Sequence, residues 1–128
     1  MKNSTNHWLQ AAKDDLLVID SIISNVDLTH IVAFHAQQAI EKCLKAVCEE
    51  HNIQIPRIHK LDYLYAQTLE FLNIKIENQI LNDLDALYID SRYPGNFGLM
   101  PYGKPSNEDA IKYRSAANVL YDYLMASI

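Results

Sequence analysis

Helix breakers are scarce in this chain and crowded into one place. It has three Gly and four Pro in 128 residues. Gly95, Gly98, Gly103, Pro94, Pro101 and Pro105 all fall in one stretch, which leaves Pro56 as the only breaker elsewhere. The rest of the chain is therefore free to run in long helices. Positive charge is also in short supply. Eleven Lys and Arg against sixteen Asp and Glu give a net charge of −5 and a pI near 5.4, so the protein as a whole repels phosphate backbones. Any nucleic-acid or nucleotide site must be a local basic spot.

Cysteine is limited to Cys43 and Cys48. Five positions apart on one helix, they point about 140° apart around its axis and cannot pair with each other. Reduced thiols in a cytoplasmic protein are expected. Long apolar runs are missing as well, because Lys13, Asp14, Asp15 and Asp20 interrupt the first apolar stretches. Neither a signal peptide nor a membrane span is expected, and the protein is read as soluble and cytoplasmic, with no membrane partner.

The motifs of common catalytic machinery are absent too. Histidines at 7, 30, 35, 51 and 59 form no His-Glu-x-x-His and no i,i+4 pair, so neither a metal nor another cofactor is expected. There is no Gly-x-Ser-x-Gly elbow, and Cys43 has no electropositive helix start to activate it. Gly98-Leu-Met-Pro-Tyr-Gly103-Lys104-Pro105 nearly spells a phosphate-binding loop. However, Pro105 supplies neither the hydroxyl for magnesium nor an N–H for phosphate, and no strand precedes the segment. No catalytic residue is assigned.

What is present is helical periodicity. At 49% hydrophobic content the chain can build one core, and residues 1–128 are read as a single all-α domain of about five helices in an up-and-down bundle. Thr5 is expected to cap helix 1, whose Trp8, Ala12, Leu16, Ile19 and Ile23 face the core before it ends near Asn25. Asp27 or Thr29 caps helix 2, with Val32, Ala36, Ala39, Ile40, Cys43, Ala46 and Val47 inward; the segment before Pro56 breaks it after about His51. Helix 3 buries Leu61, Leu64, Tyr65, Thr68, Leu69 and Leu72, and helix 4 buries Ile76, Ile80, Leu84, Leu87 and Tyr88. The thirteen residues from Tyr93 to Pro105, with Tyr93, Phe97, Met100 and Tyr102, form a loop packed over the helices. Ser106 and Asp109 resemble a capping box for helix 5, where Ala110, Tyr113, Ala117, Leu120 and Leu124 face inward.

On helix 2, His35, Gln38, Lys42, Lys45 and Glu49 follow a +3, +4, +3, +4 rhythm and form one polar stripe. Such a stripe is either a solvated face or the wall of a cleft offering an imidazole, an amide and an ammonium to a polyanionic or base-bearing ligand. Glu41 and Lys45 are read separately as an ordinary i,i+4 pair worth a few tenths of a kcal/mol. At the end of helix 4, Tyr88, Arg92 and Tyr93 leave together, although Arg92 could equally serve the carbonyl end of its own helix.

Phe34-His35-Ala36-Gln37-Gln38-Ala39-Ile40-Glu41-Lys42-Cys43-Leu44-Lys45-Ala46 resembles the second helix of HEPN domains. Ile58-His59-Lys60-Leu61-Asp62-Tyr63-Leu64 is similar to the His-x-Leu element opening that family's third helix, and Tyr88 to Pro94 to its Tyr…Arg-Tyr-Pro ending of the fourth. With Trp8 and Leu16, the likeness spans nearly the whole chain. It implies a bundle that dimerises, carries a nucleotide or RNA groove, and pairs with a minimal nucleotidyltransferase, in a setting like that of toxin–antitoxin pairs. Many members are metal-independent ribonucleases whose site is an Arg, four to six residues, then a His. Here the arginines are Arg57, Arg92 and Arg114, and the only later histidine is His59, two positions after Arg57. The pair is missing, and with it the acid–base partner of such cleavage.

The resulting expectation is a non-catalytic HEPN-like module that binds a nucleotide or a nucleotidyltransferase through His35, Gln38, Lys42, His59, Arg92 and Tyr93. The alternatives are a pure dimerisation or protein-interaction subunit, and a toxin-type ribonuclease with a non-standard site such as His59 with Arg92.

Overall fold

The computed structural model describes residues 1–91 and 104–128, with the side chains of 89–91 left out. Among the described residues it is an all-helical bundle of α1 (Asn3–Ile22), α2 (Thr29–Glu50), α3 (Leu61–Thr68), α4 (Asn78–Ser91) and α5 (Asn107–Ser127). Short 3₁₀ turns at Val26–Leu28 and Leu69–Phe71 precede α2 and follow α3. None of the described helices is long and apolar enough to cross a membrane.

α2 is the axis of the bundle and packs against α1, α3, α4 and α5. Its apolar face is built largely from Ala33, Ala36, Ala39 and Ala46, all fully buried. Small side chains at these positions let four neighbours approach one helix closely. Leu9, Leu16 and Ile19 of α1, Leu61 and Leu64 of α3, Leu81 and Leu84 of α4, and Leu120 and Leu124 of α5 complete a single core. The inward faces expected for α2 and α5 are found buried without exception. In α1 the register turns slightly: Leu9 is buried, whereas Trp8 is only partly so. Leu69 falls in the 3₁₀ turn and is half exposed, so it leaves the core face expected of it.

The helix ends are set by partners distant in sequence. Thr5 is not a cap. It lies inside α1, fully buried, and its Oγ1 donates to Glu50 Oε1 at 2.9 Å. The same carboxylate oxygen accepts the Lys2 main-chain N–H at 3.0 Å, Ser4 Oγ donates to Glu49 Oε1 at 2.7 Å, and Lys2 Nζ donates to the Glu49 carbonyl at 3.0 Å. Lys2 thus places a cation on the carbonyl end of α2, where the helix dipole favours it. α2 itself ends before Pro56 takes effect. Asn52 adopts a left-handed φ of 57°, the Ile53 N–H donates to the Cys48 carbonyl at 2.8 Å, and the Asn52 N–H donates to that of Glu49 at 3.4 Å. This is a Schellman ending, with Asn in the place glycine usually takes.

Asn25, rather than Asp27 or Thr29, receives the N–H that opens the turn before α2, its side chain accepting from Asp27 at 3.0 Å. Ser106 caps α5 as expected, accepting the Asp109 N–H at 3.0 Å. Between α3 and α4, Tyr65 Oη donates to the Ile74 carbonyl and accepts from the Ile76 N–H, both at 3.2 Å. Tyr123 Oη accepts the Asn73 N–H at 2.8 Å. The 72–77 connection is therefore pinned to both α3 and α5.

Candidate functional site

The polar stripe of α2 turns out to be neither a solvated face nor one continuous wall. It is drawn inward by two buried carboxylates. Asp15 of α1 receives His35 Nδ1 on Oδ1 at 2.9 Å and Lys42 Nζ on Oδ2 at 2.7 Å. Glu41 of α2 receives Lys45 Nζ on Oε2 at 3.1 Å, and His59 Nδ1 lies 3.1 Å from Oε1 and 3.2 Å from Oε2. Each carboxylate holds one imidazole and one ammonium, so two His–carboxylate–Lys groups flank the helix. The side chains of Asp15 and Glu41 are 10% and 6% exposed, and charges this buried are stable only because they are paired.

The pairing also decides the tautomers. An ionised carboxylate only accepts hydrogen bonds, so Nδ1 of both His35 and His59 carries a proton. In the neutral ring Nε2 is then left as the acceptor, an arrangement in which the carboxylate orients the imidazole. His59 is the accessible member: 53% of its side chain is exposed, against 24% for His35.

Amides join this network to the α2–α3 connection. Gln37, fully buried, donates through Nε2 to the His59 carbonyl at 3.1 Å and to Glu41 Oε1 at 3.3 Å. Its Oε1 accepts from Gln38 Nε2 at 2.8 Å. Two residues beyond His59, the Leu61 N–H that opens α3 is taken by both oxygens of Asp85 on α4, at 2.9 and 3.1 Å. Burial pushes the Asp85 carboxyl above its ordinary value, the Leu61 N–H opposes that shift, and Asp62 adds to it. His59 therefore stands on a segment tied to α2 and α4 at once.

Above these groups runs a row of rings. Phe34 meets His35 edge-on with centroids 5.2 Å apart and stacks on Tyr88 at 5.6 Å and 17°. Tyr88 in turn lies 6.1 Å from His59. Aromatic pairs at these spacings are mutually stabilising and offer flat, partly exposed faces.

Of the candidate residues, His35 and Lys42 come together on Asp15, while Gln38 and His59 come together through Gln37 and Glu41. Arg92 and Tyr93 lie outside the described residues, as do Phe97, Met100 and Tyr102. Lys104 donates to the Asp27 carbonyl at 3.1 Å. Lys45 leaves the stripe altogether: it is buried against Glu41, with Nζ 5.6 Å over the Trp8 ring. Glu49 belongs to the N-terminal clasp. Sequence reasoning missed Asp15 and Asp85. Asp15 carried a readable signal, because an acid set among Ala12, Leu16 and Ile19 on the inward face of a helix needs a buried partner. Asp85 had a weaker one, one position after the buried Leu84. Cys43 and Cys48 are both buried, and burial raises the thiol pKa of each, which removes them as nucleophiles. No group of three or more metal-ligating side chains occurs among the described residues.

A small helical bundle with a central helix lined by His, Gln, Glu and Lys defines the class of protein. The family described as HEPN domain matches residues 5–126, and this chain belongs to the HEPN domain family. Among solved structures it is similar to TT1696 from Thermus thermophilus, with a TM-score of 0.76 and 22% identity. That match covers 99% of this chain and 100% of the other, and at such identity the likeness bears on the fold alone. No curated protein matches the chain.

Proposed function

We propose that this chain is a non-catalytic HEPN module that binds a nucleotide, or a nucleotidyltransferase partner, on the face carrying His59, Tyr88 and Phe34. The observation that supports this reading best is the ring row running between two carboxylate-held imidazoles. Lys42 and Lys45 are each neutralised by a carboxylate within 3.1 Å, so they are poor phosphate grips. A stacking surface with an oriented imidazole edge suits a base or a partner's planar side chain better. His35 and Gln38 border this face, and Arg92 and Tyr93 follow it in sequence as the candidate cation and phenol. Cleavage is not proposed, because no Arg in the chain has a His at the family's spacing.

A thermal-shift series with ATP and the other nucleotides tests the small-ligand form. A ligand at a hundred times its dissociation constant stabilises the fold by about 2.7 kcal/mol, and His59→Ala is expected to abolish the shift. No shift with any nucleotide, in wild type and Lys42→Ala alike, removes that form and leaves the partner form to co-purification with a nucleotidyltransferase. Incubation with structured and single-stranded RNA addresses catalysis: cleavage lost in His59→Ala would overturn the non-catalytic reading.

A pure interaction subunit is favoured by a separate observation. Leu17, Val18 and Val26, and on α5 Ile111, Val119 and Met125, are exposed apolar side chains. Light scattering decides it, since a clean monomer at micromolar concentration argues against this reading.

A further inference from the structure

With a net charge of −5 the chain repels phosphate, so a phosphate-bearing ligand on the ring face needs a cation that the fold has not already engaged. Most cations are engaged. Lys42 and Lys45 are held by Asp15 and Glu41, Lys2 and Lys104 donate to main-chain carbonyls, Lys13 lies over the Tyr121 ring, and Arg114 pairs with Asp20. Among the described residues, the side chains of Arg57, Lys60, Lys75 and Lys112 make no hydrogen bond, ion pair or ring contact, and all four are exposed. Two of these four flank His59.

Arg57 and Lys60 stand in residues 51–61, the connection from α2 to α3, which contains no Asp or Glu. Chain geometry keeps the Arg57 Cα within roughly 7 Å of that of His59, and Lys60 is the next residue after it. The backbone is fixed on both sides of the ring, because Gln37 Nε2 holds the His59 carbonyl at 3.1 Å and Asp85 holds the Leu61 N–H at 2.9 and 3.1 Å. A backbone held this way presents its flanking side chains without first having to be ordered. The neighbouring acids are occupied: Glu41 is buried against Lys45, Asp85 is buried on the Leu61 N–H, and Asp62 accepts the Tyr63 N–H at 2.7 Å. Lys60 acts on Asp85 through its charge but forms no ion pair with it.

Resting on a base stacked beside Phe34, Tyr88 and His59, as proposed above, we infer that Arg57 and Lys60 are the phosphate contacts of this face and make it select nucleotides over nucleosides. The Arg57 guanidinium is a planar fork suited to two phosphate oxygens at once, and the Lys60 ammonium is a compact point charge beside it. The rings take the base, and the α2–α3 connection takes the charge.

Calorimetric titration of the full chain with the four ribonucleosides and their 5′-monophosphates, at low and high salt, tests the assignment. A monophosphate is expected to bind about tenfold more tightly than its nucleoside, the worth of a charge-assisted hydrogen bond, and salt should shrink that preference. Arg57→Gln combined with Lys60→Gln should erase the preference while keeping nucleoside affinity and melting temperature, because neither side chain has a partner in the fold to lose. Lys75→Gln combined with Lys112→Gln makes the same change in net charge elsewhere and should keep the preference. Equal affinity for nucleoside and monophosphate overturns the phosphate contacts and leaves base binding standing, whereas no binding of either removes both. Loss of the preference in the Lys75 and Lys112 variant as well would mean net charge alone, and overturns the assignment to Arg57 and Lys60.

Discussion

Glu41 and Lys45 give the sharpest test of how the bundle is held together. By spacing alone they are a helix-surface i,i+4 pair, and breaking such a pair costs about 0.3–0.5 kcal/mol. In the folded chain both are buried: Glu41 also receives Gln37 and His59, and Lys45 sits over Trp8. Glu41→Gln keeps the volume and removes the charge, leaving the ammonium of Lys45 uncompensated in a site where its side chain is 10% exposed. Removing one partner of a buried pair costs about 3–5 kcal/mol. The lower end is expected here, because the Trp8 ring offers the ammonium a weaker substitute worth about 0.5–2 kcal/mol. The companion variant Glu41→Gln with Lys45→Met removes both charges and is expected to recover most of the loss, since an apolar pair of similar volume is often neutral or better. Urea unfolding followed by tryptophan fluorescence is a local readout, because Trp8 is the only Trp in the chain. A cost below about 1 kcal/mol for Glu41→Gln, the range of an exposed pair, would refute the picture of a buried carboxylate organising this face.

Other consequences are open to measurement. Asp15→Ala strands His35 and Lys42 together and should destabilise the α1–α2 seam by about 2–4 kcal/mol in the same urea assay; a loss under about 0.5 kcal/mol would place it among ordinary surface changes. Asp85 has a folded-state pKa raised above its ordinary 3.8, so the folded state takes up its proton first, and this group's contribution to stability improves as pH falls through the window above 3.8. The melting temperature of wild type minus that of Asp85→Asn should therefore rise on acidification from neutral pH, and a fall would contradict the sign. Glu50 is shifted the other way by the Lys2 N–H and the Thr5 hydroxyl, and it contributes stability that is lost as pH falls below its ordinary 4.5. Comparing wild type with Glu50→Gln across that interval isolates the loss. Cys43 and Cys48 should react with Ellman's reagent only at the rate of unfolding, and rapid native labelling of either would contradict their burial.

Most of the architecture was legible because it rests on periodicity. A central helix flanked by four others needs apolar residues nearly all round it, and α2 shows them from Val32 to Cys48. α5 was read correctly down to its Ser106 cap, because a cap and its N–H are three residues apart and both lie in one local pattern. The errors fall where the partner is remote. Thr5 looked like a cap until Glu50 claimed its hydroxyl. Pro56 looked like the stop for α2, although Asn52 had already ended it. Lys45 looked like part of a solvated stripe, and Glu41 like its surface mate.

By itself the amino-acid order determined the helical class, the approximate helix bounds, the family and the face of α2 that carries polar groups. The tertiary structure alone decided which groups that face meets. Asp15 lies on another helix and His59 beyond a loop, so only folding brings them to within 3 Å or so of α2 groups. Helical spacing states which side chains point the same way; it does not state whether water or a carboxylate awaits them. Burial settles that, since an ammonium facing water and one facing Glu41 share the same sequence pattern and differ by kilocalories.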